Sequence, residues 1–182
     1  HNALRISTGG SNTAIGWGTL TNNTTGSQNT AVGNSALQNN TTGVFNTALG
    51  LGALKDNTEG DRNTATGYTA LRNNTTGIGN VANGWGALAG NTTGGQNHAI
   101  GYNSLVSNTA GSGNCTLGGG TLNKNIDGDY NIAIGHAALR DKTAGDYNIA
   151  IGSGAMQFTE DANNNIAAGR SALSNHTTGD EN

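Results

Sequence analysis

Proline is absent from the 182 residues, cysteine occurs once, and charged side chains make up only 10% of the chain. Aromatic residues account for 4%, as two Trp, two Phe and four Tyr. Each shortage removes a class of protein. A domain of this length ordinarily buries roughly 68–70% of its unfolded surface around bulky apolar side chains. So few large side chains exclude an ordinary globular enzyme core. Without proline, and without glycine at every third position, the chain is not collagen. Disordered chains carry proline and charge in quantity, and this one has neither. A net charge of −3 leaves no electrostatic footprint for nucleic acid. No run of about 18 apolar residues is present, so membrane insertion by this segment is not expected. The opening His1-Asn2-Ala3 has no basic-then-apolar leader, and the single Cys115 supports no internal disulfide framework.

What is abundant is small: 31 Gly, 29 Asn and 25 Thr. They fall on a grid. Asparagine stands at Asn12, Asn29, Asn46, Asn63, Asn80, Asn97, Asn114, Asn131, Asn148, Asn165 and Asn182, always 17 residues apart. With each of these as position 0, position 4 is glycine in every unit, from Gly16 to Gly169. Position 8 is leucine, or Met156 once; position 2 is alanine, or Thr116 once; position 14 is glycine, or Ala162 once. Position 3 is usually Ile, Val or Leu. Residues 1–11 read as a partial first coil and 12–182 as ten full repeats in one repeat domain. Both ends fall in mid-pattern, the expectation for a fragment of a longer chain or a unit that polymerises end to end.

A 17-residue period is too short for two packed helices with their turns, and fixed glycines weaken helices. One turn of a β-solenoid fits: an all-β parallel roll with short strands expected near positions 1–3 and 7–9, and glycine at the bends. At about 4.8 Å per coil, ten coils make a rod of roughly 48 Å. Outside the partial unit every charge lies at positions 9–16 except Arg170, so one arc of each coil is expected dry and the other wet. Stacked Asn amides at position 0 can donate and accept along a continuous ladder, and a Thr column at position 12 offers hydroxyls in the same way.

The runs N-T-A-I-G at 12–16, N-T-A-V-G at 29–33 and N-I-A-I-G at 131–135 and 148–152 resemble head repeats of trimeric autotransporter adhesins. Similar arrays occur in phage tail-fibre-like and large bacterial surface proteins. The resemblance covers essentially the whole chain. It implies a YadA-like left-handed parallel β-roll, assembled as a homotrimer with apolar ladders toward a threefold axis. It also implies an extracellular, cell-surface or virion-surface fibre whose task is reach and attachment. The 17-residue unit is longer than the usual adhesin head repeat.

Candidate sites are few. His98 and Cys115 share position 1 in consecutive coils, either as a dyad or as ladder fillers. His136 and His176 lie in other columns. Asp129 and Asp146 stack at position 15, with Asp127 and Asp161 at position 13 and Asp180 further along. They are candidates for calcium, against a solvated acidic edge, and no other cofactor is expected. Tyr68, Trp85 and Tyr102 follow one another at position 5, an aromatic strip either for ligand recognition or for packing over the bend or across a subunit interface. Tyr130 and Tyr147 pair at position 16. Sequons occur at Asn23, Asn40, Asn74, Asn91 and Asn175, as glycosylation sites or as turn residues. The composite expectation is a non-enzymatic fibre, self-associating as trimer or filament, with a host-surface glycan or matrix protein as partner. A self-assembling filament, a phage tail-fibre shaft and, as a minor option, an ice-binding solenoid are the alternatives.

Overall fold

A computed structural model describes residues 3, 8–159 and 162–175. His176, Asp161 and Asp180 lie outside these. Ten three-residue strands form one sheet: β1 Thr13–Ile15, β2 Thr30–Val32, β3 Thr47–Leu49, β4 Thr64–Thr66, β5 Val81–Asn83, β6 His98–Ile100, β7 Cys115–Leu117, β8 Ile132–Ile134, β9 Ile149–Ile151 and β10 Ile166–Ala168. They lie in chain order, all parallel, each residue facing the one 17 places on, as Thr47↔Thr64 and Ala48↔Ala65. The chain is a β-solenoid with one coil per repeat. At about 4.8 Å per step, β1 and β10 are roughly 43 Å apart.

Strands form at positions 1–3 and nowhere else among the described residues; positions 7–9 are turns. The reason is the residue between them. All ten position-8 side chains, Met156 included, hold φ between 46° and 55°, the left-handed region that interrupts an extended chain. Such a backbone costs a bulky residue on the order of 1 kcal/mol. Full burial of a leucine returns roughly 1.5–3 kcal/mol, and Leu20, Leu37, Leu54, Leu71 and Leu88 are all completely buried. Burial wins, and the bend that leucine makes turns its own side chain into the core.

Glycine at position 4 has a different cause. Its φ runs from 119° to 138°, which only glycine enters readily. The coils also touch there: a Cβ on Gly33 would stand 2.5 Å from the Gly50 carbonyl oxygen.

Bonds between coils continue beyond the strands. The Leu54 N–H donates to the Ala70 carbonyl at 3.1 Å and the Asp56 N–H to the Arg72 carbonyl at 2.9 Å. At position 12 the Thr41 carbonyl gathers the N–H groups of Thr24, Thr25 and Gly26 at 3.0–3.1 Å. The Thr24 hydroxyl donates to that carbonyl as well, at 2.8 Å. The threonine column thus feeds backbone carbonyls of the next coil, not neighbouring hydroxyls.

The interior is Ala at most places of positions 2 and 7, with buried Thr19, Ser104, Thr116 and Thr121 at the others, Leu or Met156 at 8, and two asparagine columns. In the first, at position 0, the Asn46 N–H donates to Asn29 Oδ1 at 2.8 Å, and Asn46 Nδ2 donates to the Gly60 carbonyl at 2.8 Å. The second, at position 11, runs through Asn23, Asn40, Asn57, Asn74, Asn91, Asn108 and Asn125, all fully buried. There Asn57 Nδ2 donates to Asn40 Oδ1 at 2.8 Å and to the Gly60 carbonyl at 3.0 Å. Two ladders therefore meet on one glycine carbonyl per coil. The second ladder ends at Lys142, which fills the next place, is fully buried, and reaches from Nζ to the Ala162 carbonyl at 2.6 Å. Asn125 Oδ1, facing that replacement, has no hydrogen-bond partner.

The position-3 residues are a correction. They were expected inside the dry arc, and they point out: Ile15, Leu49, Ile100, Leu117 and Ile151 are all exposed. A strand turns alternate side chains to opposite faces, so a buried Ala at position 2 obliges positions 1 and 3 to face away.

Candidate recognition surface

The outward face of the sheet carries two files. Position 1 presents Thr13, Thr30, Thr47 and Thr64, then His98 and Cys115, all exposed. Position 3 presents the aliphatic file just described. His98 and Cys115 are register partners on β6 and β7, and both lie on this open face with no third group among the described residues to orient them.

Beyond the position-4 glycine the chain bends, and position 5 stands clear of the coil. Tyr68 and Trp85 stack with ring centroids 5.7 Å apart and planes 12° from parallel; Trp85 and Tyr102 stack at 5.0 Å and 14°. Tyr68, Trp85 and Tyr102 are 47%, 48% and 60% exposed. In the single chain the strip is therefore a surface feature, not packing over the bend. The rings also cover one another, in the offset arrangement that aromatic pairs favour. Their shared faces are taken up, and what the strip presents is its outer edge. Only Tyr102 has a neighbour without a side chain in this file, Gly119. Tyr130 and Tyr147 repeat the stack at position 16, at 5.2 Å and 10°.

The acidic column has a structural task. Asp129 Oδ1 accepts the Ser112 N–H at 2.6 Å, Asp146 Oδ1 accepts the Asp129 N–H at 2.8 Å, and Asn163 Oδ1 accepts the Asp146 N–H at 2.8 Å. Each of these three side chains thus satisfies the backbone one coil back, which Asn163 does equally well without charge. Asp127, Asp129, Asp146 and Asn163 line one open polar groove. The sequons divide likewise. Asn23, Asn40, Asn74 and Asn91 are fully buried ladder members, so their amides are out of reach of a glycosylating enzyme in the folded rod. Asn175 is exposed, and its sequon runs beyond the described residues.

Among the described residues the charges also build one ion-pair cluster. Asp141 accepts from Lys124 at 2.7 Å and from Arg140 at 2.6 Å. Burial pushes its carboxyl up, and the hydrogen bonds and charges of Arg140 and Lys124 outweigh that and hold it below the ordinary carboxylate range.

Two features were not drawn from the sequence. The position-11 ladder was visible as Asn recurring every 17 residues from Asn23 to Asn125, beneath the sequon reading. The second is a groove of about 170 Å³ beside the strip, lined by Leu51 and Tyr68 on one side, Lys55 and Arg72 on the other, and Ser35, Gly52 and Thr69 between. Its signal was a pair of cations one period apart at position 9. Compared with known proteins, the chain matches no family model, no curated protein and no solved structure.

Proposed function

We propose that this chain is the shaft of a non-enzymatic extracellular fibre, a stiff rod that mediates attachment to a surface. The observation that supports it most is the row of exposed, mutually stacked rings from Tyr68 to Tyr102 on a scaffold whose interior polar groups are committed to ladders. Such a row offers a rigid aromatic edge with little side-chain entropy to lose. The resemblance of the N-T-A-I-G runs to adhesin head repeats points the same way, toward a host-surface glycan or a matrix protein as partner. A glycan and matrix-protein binding screen of the wild type beside Trp85→Ala and Tyr102→Ala tests it. Binding that weakens in both variants is the expected result; binding unchanged in both overturns the role of the strip.

A second reading, self-association into a trimer or filament, is favoured by the outward aliphatic file of Ile100, Leu117 and Ile151. Exposed apolar side chains in file on one face are the kind of surface that interaction sites use. Cys115 lies on the same outward face, in the neighbouring position-1 file, and reports on it. A maleimide should label Cys115 rapidly in dilute monomer and slowly at concentrations where light scattering shows assembly. A monomer at every concentration overturns this reading.

A further inference from the structure

We infer that the groove between Tyr68 and the Lys55–Arg72 column takes an anionic sugar unit of a longer saccharide. The inference rests on the adhesive reading above and specifies its ligand.

The three sides of the groove differ in chemistry. One wall is apolar, made by the exposed Leu51 and Tyr68 at the end of the aromatic file. The opposite wall is cationic. Lys55 and Arg72 sit at the same position of consecutive coils, about 4.8 Å apart along the rod, and neither has an ion-pair partner among the described residues. The nearby carboxylates are engaged elsewhere: Asp56 accepts from Asn39 Nδ2 at 2.9 Å, and Asp61 from the Val44 N–H at 2.8 Å. The floor is open because Gly52 stands between Ser35 and Thr69 in its column. A side chain there would be strained at φ +67°, and a Cβ would meet only the Thr69 methyl group, at 3.6 Å.

An apolar wall suits the C–H face of a pyranose ring, and the Ser35 and Thr69 hydroxyls suit its hydroxyls. Two adjacent cations, one a guanidinium, suit a carboxylate or sulfate on that ring. At about 170 Å³ the groove is smaller than the roughly 300 Å³ of the smallest typical ligand pockets. It holds one unit, while the rest of the chain lies along the rod. The same charges repel a cationic ligand, and a neutral sugar leaves both cations unanswered.

Calorimetric titration with four probes tests this: a heparin hexasaccharide, a galacturonic acid oligomer, maltohexaose and hexaglutamate. One or both acidic saccharides should bind, and which one does identifies the anion. Maltohexaose and hexaglutamate should bind on the order of tenfold more weakly or not at all. The double variant Lys55→Gln with Arg72→Gln should lose about tenfold or more in affinity for the acidic saccharide. Added salt should weaken wild-type binding. Because both side chains are at the surface, an unchanged thermal melt verifies the fold of the variant. Equal binding by the double variant, or equal binding of hexaglutamate, overturns the inference. If neutral glycans or matrix proteins bind through Trp85 and acidic saccharides do not, the inference falls and the adhesive reading stands. If nothing in either screen binds, both fall.

Discussion

Asn57 Oδ1 lies 2.5 Å from where a Cβ on Gly60 would stand, so an asparagine at position 11 requires glycine at position 14 of its coil. The chain contains its own control. Ala162 is the one alanine at position 14, and its coil carries Thr159 at position 11 in place of asparagine. Gly60→Ala should therefore lower stability by about 2–4 kcal/mol, through steric conflict with Asn57, Asn74 and the Gly77 carbonyl. Adding Asn57→Thr should recover part of that loss. Thermal melts of the single and double variants check it; additive losses would break the coupling.

The position-11 ladder should be as costly to interrupt as a buried network. Asn74 Nδ2 donates to Asn57 Oδ1 and to the Gly77 carbonyl, each bond within a dry interior. Asn74→Ala removes both donors and leaves acceptors without partners. A loss of roughly 2–3 kcal/mol is expected, measured by denaturant melting, whereas Asn73→Ala, at the exposed position beside it, should stay within about 0.5 kcal/mol.

Leucine at position 8 should be replaceable by flexibility and not by branching. Met156 already holds φ 49° in that place. Leu88→Met should cost less than about 1.5 kcal/mol. Leu88→Val should cost clearly more, since a β-branched residue is a genuine outlier at positive φ. The order of the two melting temperatures decides it.

Asp141 should give stability a pH dependence of known sign. Its carboxyl is held below the ordinary range in the folded chain, so folding favours the charged form. The stabilisation is complete above the unfolded pKa and is lost as pH falls through the folded one. The stability gap between wild type and Asp141→Asn should accordingly be constant at neutral pH and close in acid. A gap that widens in acid would reverse the assignment.

Much of the architecture was readable because it is a strict period. Asn at position 0, Gly at 4 and Ala at 2 in unbroken 17-residue phase define a parallel coil in register, and the strands fall at positions 1–3. What was hidden depended on direction. Alternation separates Ala31 from Thr30 and Val32 without saying which faces inward, so the aliphatic column was assigned to the core. The small residue is inside because the coil is too narrow for more. Leucine is a poor sign of a left-handed bend, and the second strand was expected where Leu54 turns the chain. The groove at Lys55 and Arg72 needed the bend itself, which brings positions 5 and 9 around a missing side chain at Gly52.

The coil-to-coil bonds, from the Thr47 strand to the Thr41 carbonyl and both asparagine ladders, all run along the rod. A pull on its length therefore loads every column of a coil interface at once, and none gives way before the others. A sideways force at one end acts differently, opening a coil column by column as a zip fastener parts. The break in the ladder at Lys142 marks where such peeling meets least resistance. A rod built this way withstands tension along its axis and yields to peeling.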